Sequence, residues 1–175
     1  MANDLLASYS PEDVNVIIAG GGISHSVTGY VDGTFLTITR LIDASLPYSG
    51  ADVSNARVVR SNKNSSVTLT LGQYSESGDI LSQFLRNDEV TRDSTNLFSM
   101  TIKDNSGRSL YYSRQCYIGK NPDASYSTGI EGRDWMIHCV KLENYQGGNA
   151  EFTPSTASEL ESIGGLVESR WAPQQ

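Results

Sequence analysis

Short runs with every second position apolar dominate this chain. DVNVIIA (13–19) places Val14, Val16 and Ile18 on one side, and SSVTLTLG (65–72) places Val67, Leu69 and Leu71 opposite Ser66, Thr68 and Thr70. LFSMTIKD (97–104) repeats the pattern with Phe98, Met100 and Ile102. A period of two is the signature of a half-buried strand. HSVTGYV (25–31) and FLTITRL (35–41) flank Asp32-Gly33, a hairpin signal, and Gly20-Gly21-Gly22 marks an earlier turn. RSLYYSRQCYIG (108–119) reads as a long two-sided strand, with Tyr111 and Tyr117 on one face and Tyr112 and Cys116 on the other. RDWMIHCVKLENY (133–145) reads as one continuous strand, apolar on both faces, so it is central or covered by a neighbouring subunit.

One segment has helical spacing. Ile80, Leu81, Phe84 and Leu85 form a single stripe, with Ser77 as the N-cap and Asp79 in the first turn, predicting a helix over 79–87. Its core residues are Ile80, Phe84 and Leu85, which cover a sheet edge or end. Residues 42–56 (DASLPYSGADVSNA and its neighbour Ile42) lack a period and read as a long loop or the tip of a loose hairpin, followed by a polar strand-like run ARVVRS (56–61). Residues 42–64 therefore form an extended excursion from a β domain spanning 1–148. An acidic tail or arm, 149–175, follows Gly147-Gly148, and Thr156 to Glu159 offers a capping box for a short helix there. The expectation is a mainly β, antiparallel sandwich or barrel with one short helix at its edge.

Charge narrows the function. The chain has 175 residues and a formal net charge of -7. Asp4, Glu12, Asp13, Asp32, Asp43 and Asp52 face only Arg40 in residues 1–56, and the C-terminal stretch is equally one-sided. Such a protein is soluble and repels nucleic acid. Arg57, Arg60 and Lys63 form a small basic patch without the aromatic platform of a single-strand binder, so they read as partners for acids on another subunit. The opening MANDLLASYSPEDV has no basic region followed by an apolar stretch, and no run approaches membrane-spanning length. The reading is a chain without a membrane anchor, made in a cytoplasm with reduced thiols.

No catalytic constellation emerges. His25 reads as a surface polar group and His138 as a strand residue, neither with an acid at metal-binding spacing. Cys116 and Cys139 fall in strands that can face each other, and each reads as a small buried hydrophobe without function. The triple glycine lacks a Walker lysine and a following helix, and Asp88, Glu89 and Asp93 do not fit a calcium loop. The expectation is no enzyme, no cofactor and no metal.

The opening SPEDVNVIIAGGGISHSVTGYVDGTFLTITRL resembles the start of tail tube proteins of contractile-tailed phages. A VTLTL strand, the helix SESGDILSQFLRND, an IKDNSGRSLYY hairpin and a late RDWMIHC strand follow in that family's order, over about residues 10–145. The resemblance implies stacked hexameric rings whose lumen holds a tape measure protein and passes DNA during infection. It also implies a sheath outside, a baseplate and terminator at the ends, and a virion assembled in the host cytoplasm. A ring-forming terminator, completion or baseplate hub protein, or the inner tube of another contractile injection device, is the alternative. The long loop of that family reaches an adjacent ring, which makes Tyr48, Arg57, Arg60 and Lys63 the candidate contact residues.

Overall fold

A computed structural model describes residues 6–173. Over these residues the fold is mainly β, with ten strands and two α-helices. Eight strands make one antiparallel sheet: β1 (Val14–Gly20), β2 (Ile23–Ser26), β3 (Leu36–Arg40), β6 (Ser65–Gly72), β7 (Phe98–Asp104), β8 (Leu110–Ile118), β9 (Gly132–Val140) and β10 (Glu143–Tyr145). Their order is β2-β1-β7-β8-β9-β6-β3, with β10 also pairing β8. The remaining two, β4 (Ser45–Ser49) and β5 (Asn55–Val59), pair only with each other. The chain between β2 and β3 bonds to strands far apart in this order. Val27 N–H donates to Val16 O at 2.8 Å, while Gly72 N–H donates to Gly29 O at 2.8 Å, so the sheet curls.

The curled sheet wraps a core of Val16, Ile18, Val67, Leu69, Leu71, Met100, Ile102 and Ile137, each at most 2% exposed. The helix α1 (Glu76–Thr91) seals this core with Leu81, Phe84 and Leu85, while Ile80 packs against it half-buried. Phe84 meets Phe98 ring to ring at 5.0 Å. The helix is longer than its apolar stripe, and its N-cap is Ser75 rather than Ser77. Ser77 lies inside the first turn, fully buried. Arg92, in the left-handed conformation (φ 50°), ends the helix by donating its N–H to Asp88 O.

Three sequence expectations change. The long strand at 133–145 is two strands, because Lys141 adopts φ 50° and turns Leu142 into the core, at 3% exposure. The faces of β8 also differ from simple alternation. A register shift opposite Phe98 and Met100 leaves both Arg114 and Gln115 facing outward. Such a bulge reverses the alternation beyond it. Tyr112 and Tyr117 therefore share the exposed face, and Cys116 joins Ser113 in the interior. Finally, the short tail helix, α2 (Pro154–Ser162), starts earlier than the capping box at Thr156 suggests. Thr153 caps it by accepting from Thr156 N–H, with Pro154 pre-set for the first turn.

Gly29 shows how tightly α1 is docked. Its φ is +80°, and a Cβ placed on it would lie 2.6 Å from Ser75 Cβ. Ser75 Oγ in turn donates to Thr28 O at 2.5 Å. Gly29→Ala is expected to cost about 1–3 kcal/mol, combining left-handed strain with the clash. Urea unfolding that shows a loss below about 0.5 kcal/mol would mean this corner adjusts freely.

Candidate subunit interface

The excursion at 42–64 is a two-stranded ribbon. Its root is fixed by Arg40, whose Nε donates to Ile42 O at 2.9 Å and Nη2 to Asn62 O at 3.1 Å. Leu41 N–H donates to Asn64 O and Arg60 N–H to Ala44 O, closing the base. At the tip Val53 takes φ 66°, and Gly50 N–H donates to Ser54 O at 2.8 Å. Asp52 accepts from both the Oγ and the backbone N–H of Ser54, which holds its carboxyl below the usual range. Pro47 is tolerated because each strand of a ribbon is an edge.

The register makes the ribbon two-faced. Leu46 opposes Val58 and Tyr48 opposes Ala56, so these four share one wholly apolar face. Ser45, Pro47, Ser49, Asn55, Arg57 and Val59 share the other. All five positions of β5 are exposed, as are four of the five in β4. Tyr48 is 59% exposed and Val53 is 79% exposed. A lone hairpin is at best marginally stable in water, and this one leaves most of its side chains open to solvent.

The structure separates the four candidate contact residues. Tyr48 lies on the apolar face and Arg57 on the opposite face, across from Pro47. Arg60 sits at the root. Lys63 lies beyond the ribbon and pairs with Glu143 of its own chain at 2.6 Å, rather than standing free. Both side chains of that pair are open to solvent, so it contributes about 0.2–1 kcal/mol. Leu46 and Val58 belong to the apolar face and escape sequence reasoning. Their alternation with Tyr48 and Ala56 shows only once the two short strands are in register, and Pro47 hides it in β4.

The acidic tail is anchored rather than free-standing. The Arg108 guanidinium lies 4.0 Å from the Phe152 ring centroid and 5.0 Å from that of Trp171, and it donates to Ala150 O. Phe152 N–H donates to Trp171 O at 3.0 Å, which ties the two ends of the segment together. Arg170 Nη2 reaches Asn105 O at 2.7 Å. Outside this clamp, Ile163 and Leu166 are 83% and 89% exposed.

The groups that might have carried chemistry are used to build the fold. His25 is half-buried, not a surface group. Its Nε2 lies 2.8 Å from Ser77 Oγ, which also accepts from Thr28 N–H. These contacts tie the start of α1 to β2 and to the chain just after it. Cys116 and Cys139 face each other across β8 and β9 with their sulfurs 3.2 Å apart. The contact with Cys116, together with burial, pushes the Cys139 thiol well above its ordinary range. Among the described residues no group of three or more His, Cys, Asp or Glu is placed to hold a metal ion, and no helix is long and apolar enough to cross a membrane.

Comparison with known proteins places this architecture. Residues 6–147 match the family model described as "Bacteriophage PhiTE tail tube protein". The chain is 36% identical over 167 residues to "Structural protein ORF10" of Pseudomonas phage KPP10, covering 94% of this chain and 96% of that protein. Among solved structures, the anti-feeding prophage cap (AFP tube terminating cap) superposes with a TM-score of 0.53 at 8% identity, over 83% of this chain and 96% of that one. The sheath/tube terminator of the extracellular contractile injection system PVC gives a TM-score of 0.45 at 13% identity, over 75% and 93%. Its sequence over most of its length shows that this chain is a phage structural protein and belongs to the Bacteriophage PhiTE tail tube protein family.

Proposed function

We propose that the chain is the repeating subunit of a contractile phage tail tube. It forms hexameric rings that stack around a lumen, which holds the tape measure protein and conducts DNA on infection. The observation that carries this reading is the family match across 6–147, the whole of the curled sheet with its ribbon. A curled sheet suits one segment of a ring wall, with its end strands β2 and β3 offering edges that a ring of copies joins. The net charge of -7 suits a channel along which DNA slides without sticking.

The ribbon reaches the next ring. Tyr48 and its apolar face supply contact area, and Arg57 and Arg60 meet acids of the neighbouring subunit. Lys63 holds the root in place through Glu143. Tyrosine suits such a contact because it joins apolar area to a polar tip. The sheath surrounds the tube, and a baseplate and terminator finish its ends, within a virion assembled in the host cytoplasm.

Negative-stain imaging of the purified protein tests the reading. Long hollow tubes are the expected result. A terminating cap shares the fold, so single rings that never stack would replace the tube by a terminator or hub role. Monodisperse monomers under all assembly conditions would sink both.

A further inference from the structure

We propose that Cys116 and Cys139 form a latent disulfide site, closed by hydrogen peroxide or a related hydroperoxide once the protein meets an oxidising medium. The two residues are directly opposed in the β8–β9 register, with sulfurs 3.2 Å apart. Opposed residues of an antiparallel pair have Cα atoms about 4.5–5.5 Å apart, inside the range of about 4.4–6.8 Å that disulfides span. The bond therefore forms by turning two side chains, without moving the strands.

Both thiols are buried, at 0% and 1% exposure, so the oxidant must be small and the site must open locally. The bulge supplies the weak point. Arg114 and Gln115 break the β7–β8 ladder immediately before Cys116, and ladders open most readily where pairing is interrupted. The bulge also sets their roles, because it lies beside Cys116 and opens the way to that sulfur first. Cys116 is held below the ordinary thiol range because its thiolate accepts from the Cys139 thiol, and the same contact raises Cys139. Cys116 is thus the attacking sulfur and Cys139 the resolving one.

The chemistry balances in two steps. The Cys116 thiolate attacks one peroxide oxygen, the O–O bond breaks, and the departing hydroxide takes up a proton to leave as water. Cys116 is then a sulfenic acid. The Cys139 sulfur gives up its proton and attacks the Cys116 sulfur, the S–O bond breaks, and a second water leaves. Two thiols and one peroxide become one disulfide and two waters. The product staples β8, the middle strand of the sheet order, to β9, and it rests on no assumption about tube assembly.

The full-length protein, purified reduced, is treated with hydrogen peroxide and weighed intact. The expected product has lost two hydrogens and gained no oxygen at either cysteine, any sulfoxide at the exposed Met136 being assigned separately, and a non-reducing peptide map joins the segments around Cys116 and Cys139. Its thermal midpoint rises, and a reducing agent reverses the rise. Cys139→Ser is expected instead to gain one oxygen, trapped by a sulfenic acid reagent at Cys116. Oxygen addition at Cys116 or Cys139 of the native protein without loss of two hydrogens would overturn the proposal. So would chain-to-chain cross-links, or a native protein left unchanged by peroxide that oxidises the urea-unfolded chain.

Discussion

A chain whose residues 44–54 are replaced by a short Gly/Ser linker folds, melts close to the parent temperature and fails to polymerise into long tubes. The stability half of this result follows from the ribbon's isolation. β4 and β5 pair only with each other, and nearly every position in them is exposed. The replacement removes β4 and the tip, leaves β5 without its partner strand, and takes no residue from the core of Val16, Val67, Met100 and their neighbours. The assembly half follows from what remains exposed on the ribbon. Leu46, Tyr48, Ala56 and Val58 line one face, and contact energy concentrates in such buried-on-binding anchors rather than in surface ion pairs. Calorimetry and negative-stain imaging on the same preparation read the two halves separately. Normal tubes would remove the contact role, and a chain unable to fold would place the ribbon in the core.

Phe84→Ala produces the opposite pattern: a large loss of stability at a buried site. The ring is 8% exposed and sits 5.0 Å from that of Phe98. Truncation removes its burial and leaves a cavity between α1 and the sheet, costing about 3–5 kcal/mol. Chemical denaturation of the unassembled subunit gives the number. A loss below about 1 kcal/mol would mean that α1 shifts to fill the space, and that Leu81 and Leu85 alone hold the helix.

These two sites also mark what the sequence discloses and what it withholds. The strand at 65–72 has the bounds its alternation predicts, because Val67, Leu69 and Leu71 are all core and no local irregularity intervenes. The stripe of α1 is equally readable, although the helix runs to Thr91, since polar residues after Leu85 carry helix propensity without periodicity. Irregularities are what hide. The bulge at Arg114–Gln115 and the left-handed Lys141 depend on partners in other strands, and nothing local announces them. The ribbon's apolar face is concealed for the same reason: two stretches of five residues acquire a side only when paired. Arg108 between Phe152 and Trp171 joins positions too distant for any pattern to link.

The turn at residues 62–64 has a mechanical meaning. Asn64 O accepts from Leu41 N–H at 3.0 Å, Asn64 Oδ1 from Lys141 N–H at 3.2 Å, and Lys63 O from Leu142 N–H at 3.0 Å. A pull on the ribbon is therefore delivered at one point to β3, to β6 and to the junction between β9 and β10. Both sides of that junction pair with β8, so the load spreads to the middle of the sheet. Force along strands must shear a row of hydrogen bonds together rather than unzip them singly. The junction also acts as a tooth. The smallest slip that keeps each side chain on its own face is two residues. Here that slip would drag Leu142, 3% exposed, out of the interior. One leucine and one left-handed lysine thus stop strand creep when the sheet is loaded along its strands.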